Sequence, residues 1–435
     1  MPQHQTRSLN KQDYKTLSLA SLGGALEFYD FIIFVFFAVV LGELFFPDDI
    51  PAWLRQLQTF GIFAAGYLAR PLGGIIMAHF GDLFGRKKMF TLSILLMALP
   101  TLCIGLLPTY DTVGIAAPLL LLLMRILQGA AIGGEVPGAW VFVSEHVPRK
   151  YIGFACGTLA GGLALGILLG SLIATAITTI YTKQEILSWA WRLPFFLGGI
   201  FGLFAMRLRR WLHETPIFKE MQARKALADE LPLKSVIRDH KHAIIISMLL
   251  TWLLSAGIVV VILMAPAYMQ TVFHLEQALT LKANSLAIIT LSIGCMLAGY
   301  LCDTWSANKV LLAGSLLLAA ATWFFYHTLS NSISDDPVRL FSIYTMAGFS
   351  VGIIGAVPFI MVHSYPPEVR FSGISFSYNL AYAVFGGLTP IAITLLMKYT
   401  PLAPAYYMLL LSAVGVLLGL YLSKTTIGDN TKKSG

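Results

Sequence analysis

Glu27 and Asp30 stand three residues apart in an apolar stretch, which places them on one face of a helix, about 4.5 Å apart along its axis. Further along lie Arg70, then Arg125 with Gln128 and Glu135, again inside apolar stretches. Arg125, Gln128 and Glu135 fall in one helical sector, because ten residues are close to three turns. Charge is costly at bilayer depth, so each such residue is a candidate for function. Two chemistries suit the set. Glu27, Asp30 or Glu135 can carry a proton, since burial favours the neutral acid and a neighbouring arginine the charged one. Arg70 and Arg125 can bind a carboxylate with a planar fork of donors. Internal salt bridges that merely hold the helices together are the plainer alternative.

The elements that must position these groups are membrane spans. Of the 435 residues, 57% are hydrophobic and 12% charged, against about 25% charged in soluble domains. Twelve apolar stretches are long enough to cross a bilayer: about 17–42, 57–80, 89–107, 113–143, 152–180, 190–208, 242–270, 283–302, 308–328, 338–364, 372–398 and 402–423. Most of the 30 Lys and Arg lie in the tails and the even-numbered loops. By the positive-inside rule both termini are then cytoplasmic, and the net charge of +8 needs no nucleic-acid partner. The four cysteines lie in apolar stretches without metal-ligand spacing, so neither a metal nor a disulfide framework is expected.

A polar stretch at 209–241 divides the spans six and six. The expected organisation is a bundle over 1–208, a cytoplasmic linker over 209–241, a second bundle over 242–423 and a disordered tail over 424–435. The loop at 81–88 recurs about 220 residues on: Asp82 as Asp303, Lys88 as Lys309, Arg149 as Arg370. Gly81 and Gly85 permit a tight turn. Asp82 is placed to accept N–H groups at the start of a helix from the opposite bundle, and Arg86 to pair with Glu145. These contacts would latch one face of the molecule and break when it opens. The second copy lacks the arginine and the second glycine, which predicts a stronger latch on the first half. Glycines at 161, 162, 166 and 170, and at 348, 352 and 355, allow close helix packing, and Pro137, Pro358 and Pro390 kink their spans.

The 81–88 loop resembles the signature G-D-x-x-G-R-[RK]-[RK] of the major facilitator superfamily. Leu26–Phe31, Arg70-Pro71-Leu72-Gly73-Gly74, Arg125–Gly129, Gly133-Gly134-Glu135, Trp191–Phe195, Glu214–Phe218, Pro367–Gly373, Tyr378–Ala381 and Phe385–Pro390 are similar to its metabolite:proton symporter family. The resemblance implies an all-α integral membrane protein, twelve helices in two pseudo-symmetric bundles of six. It also implies proton-driven uptake of a small organic acid or zwitterion (proline or betaine, 2-oxoglutarate, citrate, shikimate) by alternating access. It puts the acidic pair of the first span, Arg70, Arg125 and Glu135 at or beside a central cavity. His363 departs from the family pattern, where a glutamate is usual, and could add pH sensitivity to a second latch with Arg370. Substrate contacts are expected from Arg70, Arg125, Gln128 and Tyr29, and, in the second half, from Trp252, Tyr378, Asn379 and Tyr382. No cofactor beyond the proton is expected. A monomer in the cell inner membrane, surrounded by lipid, follows from the same likeness. An exporter on the same fold, or a membrane sensor that transports nothing, are the other readings. A membrane enzyme finds no nucleophile–base set or metal cluster here.

Overall fold

The structure is a computed structural model, all helical, describing residues 7–84, 86–209, 232–331, 336–367 and 369–424, with backbone alone at 52, 56, 77–94, 209, 232 and 331. The spans in chain order are α1 (Lys11–Phe36), α2 (Ala52–Phe84), α3 (Arg86–Leu106), α4 (Ala116–His146), α5 (Arg149–Ile180) and α6 (Ala190–Leu208). Then come α7 (Lys241–Val272), α8 (Gln277–Thr304), α9 (Ala307–Asn331), α10 (Pro337–Ser364), α11 (Arg370–Leu396) and α12 (Ala403–Ser423). Among the described residues eleven are long and apolar enough to cross a membrane, and α3 supplies a shorter apolar helix, Leu95–Leu106. Hydrocarbon offers the backbone no hydrogen bonds, so each apolar run must satisfy its own N–H and C=O groups as a helix. One expectation changes in detail. The stretch 81–88 is helical on both sides of position 85 rather than an open loop.

Four spans depart from regular α-helix among the described residues. α4 is interrupted at Gly133–Gly134, α7 widens to a π-helix over Gly257–Met264, α10 tightens over Gly352–Ala356, and α11 widens over Tyr382–Gly386. Three of these irregularities stand just before a proline, at 137, 266 and 358. A helical proline donates no hydrogen bond and crowds the carbonyl four residues earlier. For Pro137 that carbonyl is Gly133's, and the side-chain amide of Asn379 on α11 donates to it.

The first six spans meet the last six along two seams. On one, α5 crosses α8 with glycine against glycine. A Cβ at Gly157 would sit 2.9 Å from the Gly299 Cα, and one at Gly161 would sit 2.9 Å from the Ser292 carbonyl oxygen. Further along, the hydroxyls of Ser171 and Ser285 are 2.9 Å apart. On the other seam, α2 meets α11: Tyr67 stacks on Tyr382 at 5.4 Å, and the ammonium of Lys398, just past the end of α11, lies 4.3 Å from the Trp53 ring centre.

Small residues let backbones touch where water supplies no driving force. Gly157→Leu is therefore expected to prise α5 from α8 and destabilise the protein by about 1–3 kcal/mol, the usual cost of overpacking. The check is a lower Tm of purified protein relative to Gly61→Ala, where an added Cβ meets nothing within 4 Å.

Candidate functional site

α2 carries Tyr67 and Arg70 one turn apart and aims both at α11. The Arg70 guanidinium carbon lies 4.3 Å from the Tyr382 ring centre, 5.3 Å from that of Tyr378 and 5.5 Å from that of Tyr67. Tyr378 and Tyr382 pack together at 4.8 Å, and Trp140 of α4 meets Tyr378 edge-on at 5.0 Å. Arg70 is 0% exposed, and its three guanidinium nitrogens make no well-formed hydrogen bond among the described residues, the Tyr378 hydroxyl being the polar group beside them. Ring faces attract a cation but accept its N–H groups poorly, so this arginine keeps its capacity for an anion.

Arg125 occupies a second aromatic box, with Phe31, Phe34 and Phe63 at 4.2, 4.4 and 5.5 Å. Its Nη1 donates to the Phe31 carbonyl at 3.1 Å and to Gln128 Oε1 at 2.8 Å, while Nε and Nη2 have no partner among the described residues. Tyr67 touches Phe31 and Phe63 at 5.0 and 4.7 Å, so one ring system joins the two boxes. Gln128 donates to Thr101 Oγ1 of α3 at 2.7 Å and to the Asp30 carbonyl at 3.5 Å.

The carboxylates are placed differently from the arginines. Asp30 is 1% exposed and points at α6 and α3: a Cβ at Gly198 would sit 2.6 Å from its Oδ1 and 2.6 Å from Thr101 Cγ2. Neither oxygen has a hydrogen-bond partner among the described residues. Glu27 is buried one turn earlier. Glu135 is buried at the first residue of α4 beyond its break, so the single unbroken sector expected for Arg125, Gln128 and Glu135 is interrupted between them. Neither Arg70 nor Arg125 is bonded to a carboxylate among the described residues.

Of the other expected contacts, Tyr378, Tyr382 and Asn379 come together with Arg70, Asn379 donating to Gly133 and, at 2.8 Å, to the Ser375 carbonyl. Two residues do not join them. Tyr29 donates to the Pro194 carbonyl at 2.8 Å and packs on Phe201, both of α6. Trp252 donates to Tyr407 Oη at 2.7 Å and stacks on Phe385. Their polar atoms are taken up inside one set of six spans, Tyr29 by α6 and Trp252 by α12. Tyr67 and Trp140 were not anticipated. For Tyr67 the available signal was its position one turn before Arg70.

The expected latch geometry is found in the second copy. Asp303 Oδ1 accepts from Gly153 N at 2.8 Å and Oδ2 from Phe154 N at 2.7 Å. These are orphan donors at the start of α5, where the helix dipole favours an anion. Gly85 and the side chains of Asp82 and Arg86 lie outside the described residues, as does what Gly81 meets. Near the same end Arg370 Nε donates to the Tyr365 carbonyl at 3.3 Å, and His363 Nδ1 lies 2.8 Å from the Phe359 carbonyl. Glu145 is half-buried and Arg149 exposed. The linker over 210–231 and the tail beyond 424 also lie outside the described residues; Pro232–Asp239 is a short helix.

Comparison with known proteins places this geometry. The profile of the Major Facilitator Superfamily matches residues 20–390. A proline/betaine transporter of Salmonella typhimurium is 30% identical over 94% of this chain and 83% of its own. A glycine betaine/proline/ectoine/pipecolic acid transporter of Dickeya dadantii is equally similar, at 30% over 94% and 83%. The solved structure of the proton:xylose symporter XylE superimposes with a TM-score of 0.76 at 16% identity, covering 95% of each chain. With its fold and its sequence in agreement, the chain is a member of the Major Facilitator Superfamily.

Proposed function

We propose that this protein is a proton-coupled symporter that takes up a small zwitterion with one carboxylate and one cationic nitrogen, by alternating access. It is a transporter rather than an enzyme, as its named relatives are. The carrying observation is the Arg70 guanidinium, buried without a well-formed hydrogen bond among the described residues inside rings drawn from α2 and α11. A carboxylate offers that fork two charge-assisted bonds. Once the arginine turns to it, the faces of Tyr378, Tyr382 and Trp140 are free to hold a cationic nitrogen. The relatives named for proline and betaines support the same substrate class.

In this proposal the coupling proton rides on Asp30, with Glu27 and Glu135 as the neighbouring acids. Residues 1–208 and 242–423 rock as two bundles joined by the 209–241 linker, and Asp303 on the α5 terminus is one latch between them. The protein works as a monomer in the bacterial inner membrane with both termini cytoplasmic, and needs no cofactor besides the proton.

The test is uptake into proteoliposomes with the outside made acidic. Glycine betaine or proline is expected to accumulate, and a protonophore to collapse the accumulation. Preferential uptake of citrate or shikimate, or outward movement of substrate under that gradient, overturns the proposal.

A further inference from the structure

α7 is the least regular span: its π-helix, Gly257–Met264, separates α-helical Lys241–Ala256 from Ala265–Val272. In a π-helix each carbonyl looks to the N–H five residues on. For Val261 that residue is Pro266, which has no N–H. In ordinary α-helical register, four residues on, the carbonyl facing the proline would be that of Ile262. The register thus decides which carbonyl is orphaned, and an orphan is costly where no water can reach it.

One tyrosine answers the carbonyl orphaned by the π register, and a second bonds the carbonyl beside it, whose own partner five residues on is the Ala265 N–H. Tyr344 of α10 donates to the Val261 carbonyl and Tyr326 of α9 to that of Val260, both at 2.8 Å. Both tyrosines are buried, and Phe325 stacks on Tyr344 at 4.6 Å. The Tyr344 hydroxyl also lies 2.5 Å from Oδ1 of Asn284 on α8, whose Nδ2 has no partner among the described residues. A hydroxyl has one proton to give. Turning the amide over lets Asn284 donate to Tyr344 while Tyr344 donates to Val261.

We infer that Tyr344, supported by Tyr326, is a positioning residue for transport: it selects the π register of α7 and thereby aims the segment Ala265–Val272. A slip to α register turns everything beyond it by about 100°. That would take Tyr268 off the Pro401 carbonyl, to which it donates at the start of α12. A misaimed Ala265–Val272 segment would then slow the change of access that carries substrate across. The uptake arm of the test rests on the transport function proposed above; the labelling arm does not.

The Tyr326→Phe/Tyr344→Phe double variant keeps both rings and removes only the hydroxyls. In full-length protein carrying Met269→Cys, a site 0% exposed in the parent, reaction with a water-soluble maleimide is expected to be about ten-fold faster than with the tyrosines intact, one hydrogen bond's worth. Glycine betaine uptake is expected to lose about ten-fold in Vmax with KM within about two-fold, and Tm to fall modestly because two buried hydrogen bonds are lost. Unchanged labelling overturns the inference. So does a loss confined to KM. If the parent itself takes up no glycine betaine, the transport proposal fails and labelling alone decides this one.

Discussion

Arg70→Lys is expected to abolish substrate binding, and Arg70→Met to do the same without lowering the Tm of the empty protein. Lysine offers a point charge where the site presents a planar fork stacked on Tyr382, 4.3 Å from the ring centre. Losing a two-pronged, charge-assisted contact costs about 4 kcal/mol, roughly a thousand-fold in affinity. The stability term runs the other way. In the empty protein the guanidinium is buried without a well-formed hydrogen bond among the described residues. Unmet donors in the interior are destabilising, and three ring contacts offset only part of that. Methionine fills similar space without donors. Opposite effects on binding and on Tm would mark a residue kept for its ligand rather than for the fold. Thermal-shift titration with glycine betaine, run on parent and both variants, checks it. A Met variant that melts far below the parent would make Arg70 a structural post, and one that still binds would remove it from the site.

Much of this was legible in one dimension, and the limits have physical causes. The spans were readable because a bilayer admits only self-satisfied helices, so long apolar runs have one outcome. Arg70, Arg125 and Gln128 were readable because polarity at depth demands a reason. Tyr67 and Trp140 were not, because an aromatic residue in an apolar helix looks the same whether it packs or binds. Only the α2–α11 and α4–α11 contacts distinguish them. The spacing of Glu27 and Asp30 sets their shared helix face but not which neighbour covers it, so the aim of Asp30 into α6 came from packing alone. Asp303 shows the converse. Sequence assigned helix-capping across the seam to Asp82, and the described geometry displays it in the repeat copy.

Asp30→Asn is expected to uncouple the carrier. The carboxamide matches the neutral acid in size, which matters where even a Cβ at Gly198 would come within 2.6 Å. Substrate should then equilibrate instead of accumulating under an inward proton gradient, while exchange of internal for external substrate continues within a few-fold of the parent and loses its pH dependence. The reason lies in how Asp30 is tied to the substrate site without touching it. Arg125 holds the carbonyl of Phe31, and Gln128 bonds Arg125 and reaches the carbonyl of Asp30 itself. Tyr67 links the rings around Arg125 to those around Arg70. An anion that draws either arginine toward it therefore pulls on the stretch of α1 that carries the acid, and so changes what the acid faces. A carboxylate with no hydrogen-bond partner among the described residues can respond to such a shift by gaining or losing its proton; a carboxamide cannot. If Asp30→Asn concentrates glycine betaine as the parent does, the proton travels elsewhere. Glu27→Gln and Glu135→Gln, tested under the same gradient, would then show whether either remaining acid carries it.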